Sequence, residues 1–205
     1  AKLEHKRGTV TLVSRSIRQK GPARGGQVGS DFAVLLKPHP EWNEEHVPFG
    51  EVTSGLAILE KARRSTLFRS ITILTEDQLR TATGTPAGQE IAQAVGNPEA
   101  LIKTSKGDLK VELFEDVAKN TVANFITLAT SGFYGKTADG TGKQKFINLM
   151  KDDKGTPLLI QTGSPTNDFE GGPGYGIRSE ATNKKNVRGA LVMCAQVDVQ
   201  TGTYV

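Results

Sequence analysis

The chain has a single cysteine, Cys194, in 205 residues, so an internal disulfide framework is excluded. That thiol has neither a helix start nor a basic neighbourhood to activate it. No apolar run approaches the ~20 residues that a membrane-spanning helix needs. The opening stretch AKLEHKRG carries no signal-peptide core, and localisation stays open. The three histidines, His5, His39 and His46, pair with no cysteine at zinc spacing, and there is no HExxH, so no metal site is expected. There is no GxSxG elbow for an activated serine. GKT at 135–137 fails as a phosphate loop because the glycine needed five positions earlier is Thr130. GGPGYG at 171–176 lacks dinucleotide-loop spacing and opens no helix. Charge of one sign is also scarce: 26 basic against 22 acidic residues leave +4, which does not demand nucleic acid. The densest basic run, Lys6 to Arg24, has no interleaved aromatics to stack on bases and reads as a solvated loop.

What is abundant is glycine, 23 residues against 9 prolines, and with it many tight turns. Short β-branched, apolar runs recur between them. TVTLV (9–13), DFAVLLK (31–37), FGEV (49–52), FRSITILT (68–75), KFINLM (145–150), TPLLIQTG (156–163) and VRGALVMCA (187–195) read as strands. ALIKTSKGDLKVELF (100–114) reads as a hairpin turning at SKGD. Two helices are expected. One covers 54–64, with Ser54 as N-cap and Leu56, Leu59 and Ala62 on one face. The other covers 116–133, with a stripe of Val117, Val122, Phe125, Ile126 and Ala129, ending at Gly132. Residues 76–98 are polar, alanine-rich and bounded by Gly and Pro. They read as a linker with a short helix near 86–95. Many short strands and two helices point to a mainly β barrel or sandwich whose open ends the helices cap.

Three segments carry a family likeness. GDLKVELFEDVAKNTVANFITLATSGFYGK (107–136) resembles the amino-terminal half of a cyclophilin. IQTGSPTNDFEGGPGYGIRSEATNKKNVRGALVMCA (160–195) resembles that family's central segment. VGSDFAVLLKPHPEWNEEHVPFGEVTSGLAILEKA (28–62) with ITIL (71–74) resembles its carboxy-terminal half. The resemblance implies a closed, eight-stranded β-barrel with two capping helices. The order, however, is rotated: the carboxy-terminal-like half (1–75) precedes a linker (76–98) and the amino-terminal-like half (99–205), the pieces together making one barrel. KRGTVTLV (6–13) and VRGALVM (187–193) then duplicate one strand at the two ends. A circular permutation and a cut from a tandem array, completed by swapping between copies, both accommodate this order.

The resemblance also implies a peptidyl-prolyl isomerase site. Turning an X-Pro bond means crossing a barrier of ~18–20 kcal/mol. It needs an apolar slot and a fixed donor to the proline nitrogen, without nucleophile, metal or cofactor. In the family an arginine in a Phe-His-Arg strand is that donor. Here Phe146 stays, Ile147 stands at the histidine position and Asn148 at the arginine position. Asparagine is neutral, shorter and not a rigid fork. Leu158 and Leu159 stand where the family has Phe and Met, and Asp31 and Ala33 where it has Gln and Phe. Gln161, Phe32, Trp42 and His46 are retained, and Cys194 is counted with them in the degenerate proline groove that the resemblance implies. Phe32 and Phe146 are read as barrel packing, while Trp42 and His46 stay open between groove and packing. No catalytic set is intact. The expected function is a non-catalytic structural or assembly subunit, its partners being other subunits of a protein complex. The alternative is a weak isomerase or foldase acting on a proline-containing segment. A nucleic-acid-associated role, resting on the basic amino-terminal run alone, is third.

Overall fold

In the computed structural model, residues 27–42, 46–74, 97–168 and 171–196 are described. The expected strand at 9–13, the short helix near 86–95 and most of the linker lie outside them. The described elements run β1 (Gln27–Leu35), a 3-10 turn (Pro40–Trp42), β2 (Val47–Ser54), α1 (Leu56–Glu60) and β3 (Phe68–Ile73). They continue with β4 (Glu99–Thr104), β5 (Gly107–Leu113), α2 (Lys119–Thr130), β6 (Asn148–Lys151), β7 (Pro157–Thr162), β8 (Ile177–Arg178) and β9 (Ala190–Gln196).

The strands form one sheet in the order β3-β4-β5-β2-β9-β1-β7-β6, with β8 paired to β1. Every pairing is antiparallel. The end strands β3 and β6 meet at their starts through an antiparallel bridge between Leu67 and Lys145. There the Phe68 N–H donates to the Gln144 carbonyl (2.9 Å) and the Phe146 N–H to that of Thr66 (3.3 Å). The path thus curls into the mainly β, eight-stranded barrel-like architecture, and β8 is a two-residue addition inside the long 163–189 loop. Strands from the two parts of the chain alternate around it: β9 lies between β1 and β2.

Side-chain alternation sorts the residues between an inner and an outer face. On the inner face, Phe32 is the hub. Its ring meets Phe125 (5.4 Å), Tyr134 (5.6 Å), Phe68 (6.2 Å) and Phe49 (6.4 Å), all edge-on, and each such pair contributes ~0.5–1.5 kcal/mol beyond its burial. Both helices close on this interior. α2 inserts Val122, Phe125 and Leu128, and α1 inserts Leu59, all buried. The stripe expected from the helix period is therefore the packed face, but the helix is shorter than 116–133 because Val117 lies in the turn before it. Ser54 is not an N-cap: it ends β2, and Gly55 takes the cap position at φ 87°. The reason is steric, since a Cβ at Gly55 would stand 2.3 Å from the Asp108 carbonyl oxygen.

The start of α2 is held from a distance. Its N-cap residue, Ala118, has no side-chain acceptor. Glu180, from the loop after β8, supplies one. Its carboxylate accepts from the Asn120 N–H (2.9 Å), the Thr121 N–H (2.7 Å) and the Thr121 hydroxyl (2.7 Å). These are the second and third amides of the helix, which have no partner within it. A negative charge at this end also suits the helix dipole. We expect Glu180→Ala to destabilise the fold by ~1–2 kcal/mol, read as a lower urea midpoint, with Glu180→Gln losing less because it keeps an acceptor.

Candidate functional site

The site begins with β1, whose two flanking strands give it a complete register. Ala33 faces Gln161 of β7 and Val192 of β9, and Leu35 faces Leu159. On the other side of β7, Asn148 faces Gln161 and Met150 faces Leu159. Cross-strand partners share a sheet face. Asp31, Ala33, Leu35, Asn148, Met150, Leu159, Gln161, Ala190, Val192 and Cys194 therefore lie on one side, opposite to Phe32, Val34, Ile160, Leu191 and Met193. The buried clusters agree. Ala33, Leu35, Met150, Leu159, Ala190 and Val192 form an outer cluster separate from the barrel interior, with Trp42, Leu158 and Cys194 packed on it.

Of the residues expected from sequence, this brings together Asp31, Ala33, Asn148, Leu158, Leu159, Gln161, Trp42 and Cys194. His46 joins them through its edge-on contact with Trp42, at 4.7 Å. Leu158 is out of phase with Leu159 and packs at the cluster's edge, near the slip in register between Met150 and Lys151. Phe32 and Phe146 do not belong to this face. Both are in the barrel interior, Phe146 against Phe68 at 6.4 Å, as the alternation of β1 requires for Phe32. Met150, Leu35, Ala190 and Val192 were missing from the expected set. A two-residue count from Asn148, Ala33 and Cys194 reaches all four.

Two backbone constraints fix the face. Gly163, just after β7, has φ 111°, and a Cβ there would stand 2.3 Å from the Ser30 carbonyl oxygen. Only glycine lets β7 run this close to the start of β1. From the opposite side, the Asn124 amide of α2 donates to the Gly29 carbonyl (2.8 Å) and the Tyr134 hydroxyl to that of Ser30 (3.1 Å). The residues around Asp31 are thus clamped.

The polar groups are few and strained by burial. Asp31 is 7% exposed. Among the described residues, its carboxylate receives two long hydrogen bonds, from the Gln161 amide (3.5 Å) and the Ser30 hydroxyl (3.5 Å). Burial outweighs them and pushes its pKa up to about 7, with Asp168 adding repulsion. Burial and the Asp31 charge also push up the pKa of the Cys194 thiol, which packs against the outer cluster. Trp42 is stacked on His39 (4.7 Å, 20° between planes) as well as touching His46. The Nδ1 of His46 is enclosed and has no hydrogen-bond partner among the described residues. Burial, with His39 nearby, lowers its pKa to about 4, so it is neutral at pH 7. Among the described residues, none of the side chains gathered on this face is an arginine. Among the described residues no group of three or more His, Cys, Asp and Glu is placed to hold a metal.

Asp31 and His46 make opposite contributions to stability versus pH. Asp31 binds its proton more tightly folded than unfolded, so its contribution falls as pH rises from ~4 to ~7. His46 binds its proton less tightly folded, so its contribution rises from ~4 to ~6.5. Each slope is at most ~1.4 kcal/mol per pH unit, and between pH 4 and 6.5 they oppose each other. Urea midpoints across pH 4–8 are expected to change little in this window for the parent chain. They should rise with pH in Asp31→Asn and fall in His46→Gln.

The family model described as cyclophilin type peptidyl-prolyl cis-trans isomerase/CLD matches residues 1–83 and 100–204. A peptidyl-prolyl cis-trans isomerase of Synechococcus elongatus is 34% identical over 95 residues, 46% of this chain and 57% of its own length. One of Helicobacter pylori is 35% identical over 96 residues, 46% of this chain and 52% of its own. A putative bifunctional phosphatase/peptidyl-prolyl cis-trans isomerase of Streptococcus pyogenes is 37% identical over 100 residues, 47% of this chain and 19% of its own. The chain spans about half the length of the first two relatives. No solved structure matches it. A single family model accounts for residues on both sides of the 84–99 gap, and the strands it covers share one curled sheet: the chain belongs to the cyclophilin-type peptidyl-prolyl cis-trans isomerase family.

Proposed function

We propose that the outer face of β1, β6, β7 and β9 is a groove for proline-containing segments, and that it turns them over slowly, as a peptidyl-prolyl isomerase with a remodelled site. The observation that carries this reading is the convergence of Asn148, Gln161, Leu159, Ala33 and Trp42 on one face of a clamped sheet. The names of the matched relatives favour it too. Asn148 would donate toward the proline nitrogen and Gln161 toward a flanking carbonyl, over a floor of Leu159 and Ala33. The same reading takes 1–75 and 99–205 as complementary pieces of one barrel joined in rotated order by 76–98. The interleaving of β9 between β1 and β2 supports it.

A second reading, a non-catalytic structural or assembly subunit of a protein complex, is favoured by position 148. A neutral asparagine replaces a guanidinium, and losing one such donor from a preorganised site costs ~10²–10³ in rate. Ala33 in place of an aromatic also leaves a shallower floor. A protease-coupled proline-peptide assay separates the two. The isomerase reading expects a measurable acceleration, lost in Asn148→Ala and raised ~10²-fold in Asn148→Arg. Parent and Asn148→Arg both running at the uncatalysed rate would overturn it and leave the scaffold reading, for which co-purification under mild conditions is the follow-up.

A further inference from the structure

Asp31 lies on the outer face with 7% of its surface exposed, and no lysine or arginine among the described residues pairs with it. The ion pairs are elsewhere: Lys37 with Asp152, Lys110 with Glu99 and Arg188 with Glu60. An ionised carboxylate offers about four acceptor sites. Here each oxygen receives one contact, Oδ2 from the Gln161 amide and Oδ1 from the Ser30 hydroxyl, both at 3.5 Å. That is the far limit of a hydrogen bond.

The elements packed around Asp31 bring no cation. From β7 comes the neutral Gln161 amide, and α2 contributes the neutral Asn124, bound to the Gly29 carbonyl. The Cys194 thiol faces it from β9 and the Tyr134 hydroxyl from the segment after α2, and burial keeps both protonated. Asp168, in the loop after β7, adds a charge of the same sign. Its carboxylate accepts from the Thr166 hydroxyl and from the Gly171 N–H (3.3 Å).

A carboxylate in this setting has already lost its water. A cation arriving from outside gains the attraction of a low-dielectric pair, and only its own desolvation opposes it. A neutral donor gains roughly half as much. Lysine suits the small exposed part of Asp31 better than arginine does, because its ammonium is compact and carried on a flexible stem, not a planar fork. Asp31 lies beside Gln161, which in turn faces Asn148 across the β6–β7 register. A segment whose proline lies over Asn148 and Gln161 therefore brings a neighbouring side chain to Asp31.

We propose that Asp31 determines which segments the groove takes, selecting those with a lysine next to the proline, whose ammonium pairs with the Asp31 carboxylate. This rests on the groove reading above, and it applies equally whether the groove turns its ligand over or only holds it. The pairing depends on pH. Burial places the Asp31 proton at about 7, so the ionised fraction rises from pH 6 to pH 8, and the affinity for a lysine-bearing segment rises with it.

Two calorimetric titrations of the full chain test this. Short proline peptides carry either lysine or norleucine, an unbranched side chain without the charge. The residue is placed before the proline in one pair and after it in another. At pH 8 the lysine peptide of at least one pair is expected to bind about tenfold more tightly than its norleucine twin. The preference should disappear in Asp31→Asn. The second titration uses the parent chain alone and so holds even where that variant misfolds. The affinity of the preferred lysine peptide should rise about tenfold between pH 6 and pH 8, while that of its norleucine twin stays level. Equal binding within both pairs, a lysine preference that survives Asp31→Asn, or one that does not move with pH overturns the inference and leaves the groove standing. Binding by none of the peptides overturns the groove reading, and this inference with it.

Discussion

The pairing of β1 with β9 is the interaction on which the rest of this molecule depends. It joins two stretches far apart in sequence, and among the described strands β9 lies between β1 and β2 in the strand order. Through β2 and β5 it reaches β4 and β3, and through β7 it reaches β6. The aromatic hub exists because β1 carries Phe32 inward in register with Met193. The candidate groove exists because the same register carries Ala33 outward beside Val192 and Gln161. A one-residue slip in this pairing would exchange the two faces and bury Asp31 among the phenylalanines. Such long-range pairing is entropically costly to nucleate, so the buried aromatic cluster must supply the compensation.

How much of this was legible beforehand follows from the range of each signal. Alternation in DFAVLL, LLIQ and ALVMC marks strands and, once one inward residue is known, both faces. Counting by two from Phe32 sorts β1, and the same count on the other strands reaches Met150 and Val192. It misplaces Phe146, which shares the parity of Asn148 and Met150 but packs inside against Phe68, because the run is not one continuous strand: β6 begins only at Asn148. The α2 stripe was legible by its period too. What depends on contact between distant segments was not. Nothing near Ala118 signals that its helix is capped by Glu180, sixty residues on. Ser54 looked like an N-cap because a serine before an apolar run usually is one. The approach of Asp108 to Gly55 decided otherwise. The two-residue β8 is too short to carry any pattern and is defined only by its pairing with β1.

The interior and the outer face answer to different constraints. Inside, aromatic rings interlock around Phe32, which touches four others, so a change of volume there propagates to all of them. The outer cluster is assembled from smaller side chains, Ala33, Ala190 and Val192 with Leu159 and Met150, on strands already fixed by that interior. Its members can change without unpicking the barrel. Positions 148, 33 and 31, where this chain departs from the pattern the resemblance implies, all lie on this permissive face.

Permissive does not mean neutral, and Asp31 shows why. An ionisable carboxyl held at 7% exposure with two long hydrogen bonds is a poor choice for stability alone. A leucine or threonine there would satisfy the strand and avoid the desolvation cost. The clamp around it, from Gly163, Asn124 and Tyr134, leaves little room for the carboxylate to reach solvent. Near neutral pH this group is divided between a hydrogen-bond donor and an anion, beside a neutral amide, Gln161, that can serve either form. The same desolvation acts on the other titratable side chains of this face, raising the pKa of the Cys194 thiol and lowering that of the His46 imidazole. In the groove proposed above, burial therefore favours the uncharged form of each of these groups that a bound segment would meet.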